Sequence, residues 1–305
     1  MLRFTVSRIL ESIPLLILLS FLVFSLFRSI PGDYLSEMEM DPTISRQSVE
    51  KLRQDYGLDK PLVQQYWHWV TQLLRGNLGY SFAQRRPASE LILERTVGTL
   101  SLTFAALVLT LALALPLAAI GAVRLGDWSD KLVLWSSLVG LSLPTVLSSL
   151  LLLYFAYLTG WFPIGGADTW KHSFLPAVTL AIPMVGFFTR TLRLELIDVF
   201  DQPYVLAAAA KGLPPYRVLW HALRNALNPV ISLTGVTLGG LLSGAVVVEK
   251  VFSWPGLGAL TVDSILARDL YVALACVLVS ALVVIIANLL ADLLLAWNDP
   301  QIRYE

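Results

Sequence analysis

Six apolar segments, each long enough to cross a lipid bilayer as a helix, limit the folds open to this chain more than any other feature. A membrane-spanning helix needs about 20 predominantly apolar residues, and the predicted spans are 9–29, 98–122, 133–158, 174–196, 227–248 and 273–297. Only 14% of the 305 residues are charged, whereas soluble globular domains carry roughly a quarter. The sequence therefore predicts an all-α polytopic membrane protein with six transmembrane helices.

The fourth predicted span is the least regular of the six. Pro176 and Pro183 interrupt its apolar pattern, and Arg190 and Arg193 follow near its end. A proline in a spanning helix is tolerated where neighbouring groups satisfy the freed carbonyls. Two interpretations stay open, because the prolines are consistent with static kinks and with a moving hinge.

Lysines and arginines in the short loops predict the orientation of the chain in the membrane. With the N-terminus inside, the short cytoplasmic segments carry ten of these residues and the short outer segments carry four. The remaining eight lie in the segment 30–97, which is too long for the positive-inside rule to apply. We therefore expect the N-terminal residues 1–8, the C-terminal residues 298–305 and the loop 200–226 to be cytoplasmic.

The long segment 30–97 is expected to form a small helical region outside the cytoplasm. Its apolar residues recur at helical spacing between glycine and proline breaks. Three neighbouring aromatic residues, Tyr66, Trp67 and Trp69, favour anchoring at the membrane interface or packing over a ligand cage.

Several classes of function find no support in the composition. The formal net charge is zero, so no basic excess indicates binding to nucleic acid. The three histidines are far apart, the one cysteine lies in an apolar run, and no HExxH, CxxC or phosphate-binding GxxxxGK[ST] motif occurs. We expect this chain to supply no catalytic group, no metal site and no bound cofactor.

The cytoplasmic loop 200–226 contains the most unusual sequence, YVLAAAAKGLPPYRVLWHALRNA. Asp201 is expected to cap a helix of about ten residues, which Gly212 and the two prolines after it would end. A second helix with a basic face is expected to lie in the membrane interface and lead into the fifth span. An ordinary interfacial loop and a lever that docks into a cytoplasmic partner both remain open. If the lever exists, replacing Ala208 by Trp is expected to abolish docking.

Motifs that extend over the whole chain carry a family resemblance. Besides YVLAAAAKGL and HALRNALNPV in the loop, they are IPGD (30–33), YGLDKPLVQQYWHWVTQLLRGNLGYS (56–81), SLPT (142–145), WFPIGGAD (161–168), FLPAVTLA (174–181), GAVVVEKVFSWPGLGAL (244–260) and DPQIRYE (299–305). Together they resemble the B-type permeases of ATP-binding-cassette importers in the dipeptide, oligopeptide and nickel family, which includes glutathione permeases.

This resemblance implies the type I importer permease fold, with a core permease domain over 95–297, in a bacterial inner (plasma) membrane. The chain would form half of a heterodimeric translocation pathway together with a homologous C-type permease. Two cytoplasmic ATPase subunits would bind ATP and Mg, and an extracytoplasmic solute-binding protein would deliver the solute. Membrane lipid is the remaining implied partner, and no nucleic acid is implied.

The resemblance also assigns part of the loop 200–226 to a coupling helix that contacts the ATPase subunits. The matching positions are Tyr204, Val205, Ala207, Ala208, Ala210, Lys211 and Gly212. Leu206 and Ala209 depart from the family pattern, which commonly has a polar or acidic residue at the first position and an arginine at the second. The implied contact is therefore one of shape and apolar burial rather than an ion pair.

The sequence gives less information about the solute than about the type of transporter. No histidine lies within a predicted span, which argues against a bare nickel site in the membrane but not against transport of a chelate. The motifs WFPIGGAD and VVVEKVFSWPGLG are most similar to those of peptide and glutathione permeases, so a peptide-type solute is expected and nickel or a metal chelate is the alternative.

Two rival classes of function predict features that are not evident in this sequence. A secondary transporter driven by an ion gradient predicts paired acids near the middle of the bilayer or an internal repeat with broken helices. A membrane-embedded enzyme predicts a convergent nucleophile and base, or a metal constellation.

Overall fold

A computed structural model describes residues 2–29, 45, 47, 50–51, 60–81 and 83–298. Its helices are α1 (Leu2–Ser29), α2 (Leu62–Leu74), α3 (Ala88–Val123), α4 (Trp128–Ser142), α5 (Thr145–Thr159), α6 (Trp170–Phe200), α7 (Pro203–Ala210), α8 (Pro215–Val251), α9 (Leu257–Leu266) and α10 (Leu270–Asn298). Strands β1 (Tyr80–Ser81) and β2 (Arg86–Pro87) pair antiparallel, with Tyr80 opposite Pro87. The expectations for most of 30–59 and for 299–305 lie outside the described residues.

The described helices support six membrane spans. By length and composition, α1, α3, α6 and α10 can each cross a membrane, and two bent pairs raise the number to six if each pair is one span. One pair is α4 with α5, and the other consists of the two parts of α8. This confirms the predicted fold class, an all-α polytopic membrane protein.

The third span differs from its prediction as one continuous helix over 133–158. It consists of α4 and α5, whose axes differ in direction by 101°. Pro144 causes the break, because proline disfavours the helical conformation in the residue before it, and Leu143 is accordingly extended with ψ 117°. Hydropathy cannot reveal this break, since the apolar pattern continues through it.

The fourth span is a continuous helix despite its irregular sequence. Helix α6 runs through both Pro176 and Pro183 and packs against α4, α5, α7 and α8. Glycines allow its backbone to approach α4 closely. A Cβ atom added at Gly186 would lie 2.5 Å from the carbonyl oxygen of Ser137, and one added at Gly140 would lie 3.0 Å from that of Ile182.

The described chain divides into two compact units, each with its own apolar core. The larger unit contains Thr99–Trp254 and the residues from Ile286 onwards. One of its clusters surrounds Leu102, Leu180 and Leu241, and a second joins α6, α7 and the first turns of α8. The second cluster positions the loop that the sequence singles out.

The smaller unit contains Leu2–Gly98 and Pro255–Ile285. In it, Tyr66 and Trp69 of α2 pack against Phe24 of α1, and the Tyr66 hydroxyl lies 2.8 Å from that of Ser20. Trp67 points away from this cluster and is 66% exposed. Two of the three aromatic residues therefore serve packing, as expected, and the third is on the surface.

Candidate functional site

The short helix in the loop 200–226 is α7, which begins at Pro203. The carbonyl of Gln202 accepts the backbone N–H groups of Val205 and Leu206 at 3.0 and 3.1 Å, and the fixed φ of proline suits the first helical position. The expectation that Asp201 caps this helix is wrong, because Asp201 is the residue that ends α6. Helix α7 has 8 residues, slightly fewer than expected.

Gly212 ends α7, as the sequence predicts. Its φ of +76° lies in the left-handed region, which glycine adopts without steric cost. The Gly212 N–H donates to the Ala209 carbonyl at 2.9 Å, and the Leu213 N–H donates to that of Ala208 at 3.4 Å. This pair of bonds is the Schellman arrangement, so the end of α7 is fixed by its own backbone.

Two contacts fasten α7 to the helices on either side of it. Val205 is only 2% exposed and packs in a cluster that includes Leu196 of α6 and Ala222 of α8. The Asn225 side-chain amide of α8 donates to the Tyr204 hydroxyl at 2.6 Å. A displacement of α7 therefore acts on both α6 and α8.

The other residues of α7 form an outward surface of small and apolar side chains. Between positions 204 and 212, seven residues are exposed, namely Tyr204, Leu206, Ala207, Ala209, Ala210, Lys211 and Gly212. Ala208 is half-buried, because it follows Val205 by three residues and shares its side of the helix. A Trp at Ala208 would disturb the support of α7, so Ala209 is the better position at which to test docking.

The basic stretch after α7 is the beginning of α8 and not a separate helix. Helix α8 continues for 37 residues from Pro215 to Val251 and includes Pro229, with a 49° bend between its parts Pro215–Gly235 and Thr237–Val251. Arg217, His221 and Arg224 are exposed near its start. The expected interfacial helix is thus continuous with the fifth span.

The larger unit contains a buried ion pair that the sequence does not predict. Arg193 of α6 donates from Nε and Nη2 to Oδ1 and Oδ2 of Asp130 in α4, at 2.5 and 2.8 Å. Asp130 Oδ2 also accepts the backbone N–H of Gly126 at 2.9 Å. Arg193 lies near the end of the fourth predicted span, and although a charge inside an apolar segment calls for a partner, the sequence pattern does not identify Asp130 as that partner.

Two further acidic residues are buried and were not singled out from the sequence. Glu249 of α8 is 0% exposed and accepts a hydrogen bond from the Thr99 hydroxyl at 2.5 Å. In the smaller unit, Asp269 accepts one from the Ser81 hydroxyl at 2.6 Å. The Glu249 contact joins α8 to α3, and the Asp269 contact joins the residue before α10 to β1.

No group of three or more His, Cys, Asp or Glu side chains could hold a metal ion within the described part of the chain. No histidine lies within the predicted spans, but the helices extend beyond them, so that His172 lies in the first turn of α6 and His221 near the start of α8. The His172 ring accepts the backbone N–H of Thr169 at its Nδ1 atom, at 3.1 Å. This histidine therefore stabilises the start of a helix.

Known proteins resemble this chain over its full length. Residues 114–304 match the family of binding-protein-dependent transport system inner membrane components, and residues 1–103 match the N-terminal family of membrane components of such systems. The chain is similar to the glutathione transport system permease protein GsiC of Escherichia coli (strain K12), with 39% identity over 307 residues and 100% of both chains covered. The GsiC proteins of Salmonella typhimurium (strain LT2) and Shigella flexneri serotype 5b are 39% and 38% identical, again over 100% of both chains.

Proposed function

This chain belongs to the family of binding-protein-dependent transport system inner membrane components, the permeases of ATP-binding-cassette importers, and we propose that it forms half of the translocation pathway for a peptide-type solute, with glutathione as the first candidate. The observation that carries the solute class is the full-length identity of 39% to a permease named for glutathione transport. Nickel or a metal chelate is the alternative solute.

A permease of such an importer works with ATPase subunits and a solute-binding protein. In our proposal the second half of the pathway is a homologous C-type permease, and two ATPase subunits bind ATP and Mg in the cytoplasm. This chain contributes no catalytic group and binds no cofactor. The excess of Lys and Arg in the short inner loops supports a location of both termini in the cytoplasm.

Helix α7 is the proposed contact with the ATPase subunits. Apart from Tyr204, its exposed residues are small or apolar, so a partner can approach its backbone closely and bury Leu206, which is 56% exposed. Closure of the ATPase dimer on ATP would move α7, and α6 and α8 would follow because Val205 packs between them. The solute then moves because its binding free energy differs between the two conformations of the pathway, and ATP hydrolysis resets the cycle.

A tryptophan on the exposed side of α7 tests this contact. Ala209→Trp should prevent the ATPase subunits from co-purifying with the tagged permease, because the bulky ring keeps the partner away from the helix backbone. Ala167→Trp, at an exposed position in the connection between α5 and α6, is the control and should retain them. Full retention of the ATPase subunits by Ala209→Trp would exclude α7 as their docking site.

Stimulation of ATP hydrolysis tests the solute class. The complex of this chain with its companion subunits is placed in lipid nanodiscs, and binding protein loaded with glutathione, a dipeptide or a nickel chelate is added. Stimulation by glutathione or the dipeptide supports a peptide-type solute. Stimulation by the nickel chelate alone would replace it with the alternative.

A further inference from the structure

Three helices of the larger unit surround the Asp130–Arg193 ion pair. Asp130 lies in the first turn of α4, and Arg193 lies two turns before the end of α6. On α3, a Cβ atom added at Gly121 would lie 3.0 Å from Arg193 Cδ and 3.3 Å from Asp130 Oδ1. The two charged residues are 3% and 7% exposed, so the pair is enclosed by the helices and shielded from solvent.

The ion pair lies on the part of α6 that also carries α7. Leu192 directly precedes Arg193, and Leu196 follows it by three residues; both belong to the cluster in which Val205 of α7 is buried. One stretch of α6 therefore contacts α7 through its leucines and α4 through its arginine. A displacement of α7 therefore acts on the part of α6 that holds the ion pair.

Stability alone does not explain a charged contact at this position. Replacing a buried ion pair by apolar residues of similar volume is often neutral or stabilising, because the desolvation of two charges offsets their attraction. The ion pair instead fixes the relative orientation of the two helices. Two parallel N–H···O bonds between a guanidinium and a carboxylate fix both angle and distance, whereas apolar side chains allow neighbouring helices to slide and rotate.

We propose that Asp130 and Arg193 are positioning residues that lock α6 to α4, so that a displacement of α7 moves both helices together instead of sliding one past the other. This inference rests on the proposed role of α7 as the contact with the ATPase subunits. Loss of the lock leaves ATP hydrolysis intact and lowers the amount of solute moved for each ATP hydrolysed.

Two changes to the ion pair distinguish its effect on helix orientation from its contribution to packing. The double variant Asp130→Leu with Arg193→Met removes both charges and places apolar side chains of roughly similar size at the two positions. Arg193→Lys keeps the positive charge but cannot form two parallel bonds. Arg190 lies one turn earlier on α6 and is exposed, so Arg190→Lys and Arg190→Met are the matched controls.

The measurement is the ratio of solute transported to ATP hydrolysed, made on the complete complex in proteoliposomes with loaded binding protein. For the apolar double variant we expect normal assembly, ATP hydrolysis close to wild type, and a ratio that falls roughly fivefold, within the range by which single residues alter coupling between sites. Arg193→Lys should lower the ratio as well, and both Arg190 variants should keep it. A wild-type ratio in the apolar double variant would overturn the inference.

Two further outcomes are decided by the same set of variants. If the apolar double variant does not assemble, Arg193→Lys decides, since a lowered ratio supports the lock and an unchanged ratio overturns it. Failure of the proposed function is recognised separately, because Ala209→Trp would then retain its ATPase subunits. If that variant loses them while the ion-pair variants keep the wild-type ratio, only the inference about Asp130 and Arg193 fails.

Discussion

Replacing Gly186 by Ala places a methyl group in the close contact between α4 and α6. The new Cβ would lie 2.5 Å from the Ser137 carbonyl oxygen and 3.1 Å from Leu141 Cγ. Carbon-to-oxygen contacts of this kind normally need about 3.3–3.6 Å, so the two helices must separate by close to 1 Å. Such overpacking costs about 1–3 kcal/mol of unfolding free energy.

Gly240→Ala is the control for this change, because a Cβ at Gly240 meets nothing within 4 Å. Both glycines lie in helices, where alanine is favoured over glycine by roughly 0.5–1 kcal/mol. The difference between the two variants therefore isolates the contact with α4. At roughly 2–4 °C per kcal/mol for a domain of 150–250 residues, Gly186→Ala should unfold about 2–12 °C below Gly240→Ala.

The chain contains its own reporter for this measurement. Its one cysteine, Cys276, is 0% exposed, so a thiol-reactive fluorescent dye labels it only when the detergent-purified protein unfolds during heating. Equal unfolding temperatures for the two alanine variants would refute the close approach of α4 and α6, whether or not both variants unfold below the wild type.

Three other changes have expected outcomes that follow from single contacts. Gly212→Val places a branched side chain in the left-handed conformation, which costs roughly 1–2 kcal/mol of conformational free energy, and should reduce co-purification of the ATPase subunits. The control Gly160→Val, at φ +65° after α5, should not reduce it. Val205→Ala removes buried methyl groups worth about 1.5–3 kcal/mol, so trypsin should cleave at the exposed Lys211 sooner than in the wild type. Glu249→Ala should lower the unfolding temperature in the dye assay more than Glu249→Gln, which keeps the size and an acceptor oxygen at this fully buried position.

Hydropathy locates the spans in this sequence but not the ends of their helices. The second span is predicted over 98–122, whereas α3 begins at Ala88 and includes Glu90 and Glu94 in its first turns. A helix can continue beyond the apolar part because its backbone bonds do not depend on the polarity of its side chains. The break before α5 is missed for the converse reason, since it depends on Pro144 and not on polarity.

The candidate site could be predicted in its local features only. The end of α7 follows from Gly212 and the prolines after it, which act within a few residues. The burial of Val205 depends on how α6 and α8 pack on either side of α7, which no local pattern specifies, and the half-burial of Ala208 follows from it. The pairing of Asp130 with Arg193 joins residues 63 positions apart, and no periodicity reveals such a contact.

Uptake of labelled glutathione into proteoliposomes tests the central claim most directly. The vesicles contain this chain with its companion permease and ATPase subunits, with ATP on the side of the ATPases and binding protein on the other side. We expect uptake that requires ATP, the ATPase subunits and the binding protein, and that an excess of unlabelled glutathione or peptide suppresses. Uptake that persists without the ATPase subunits and follows an ion gradient would contradict the account.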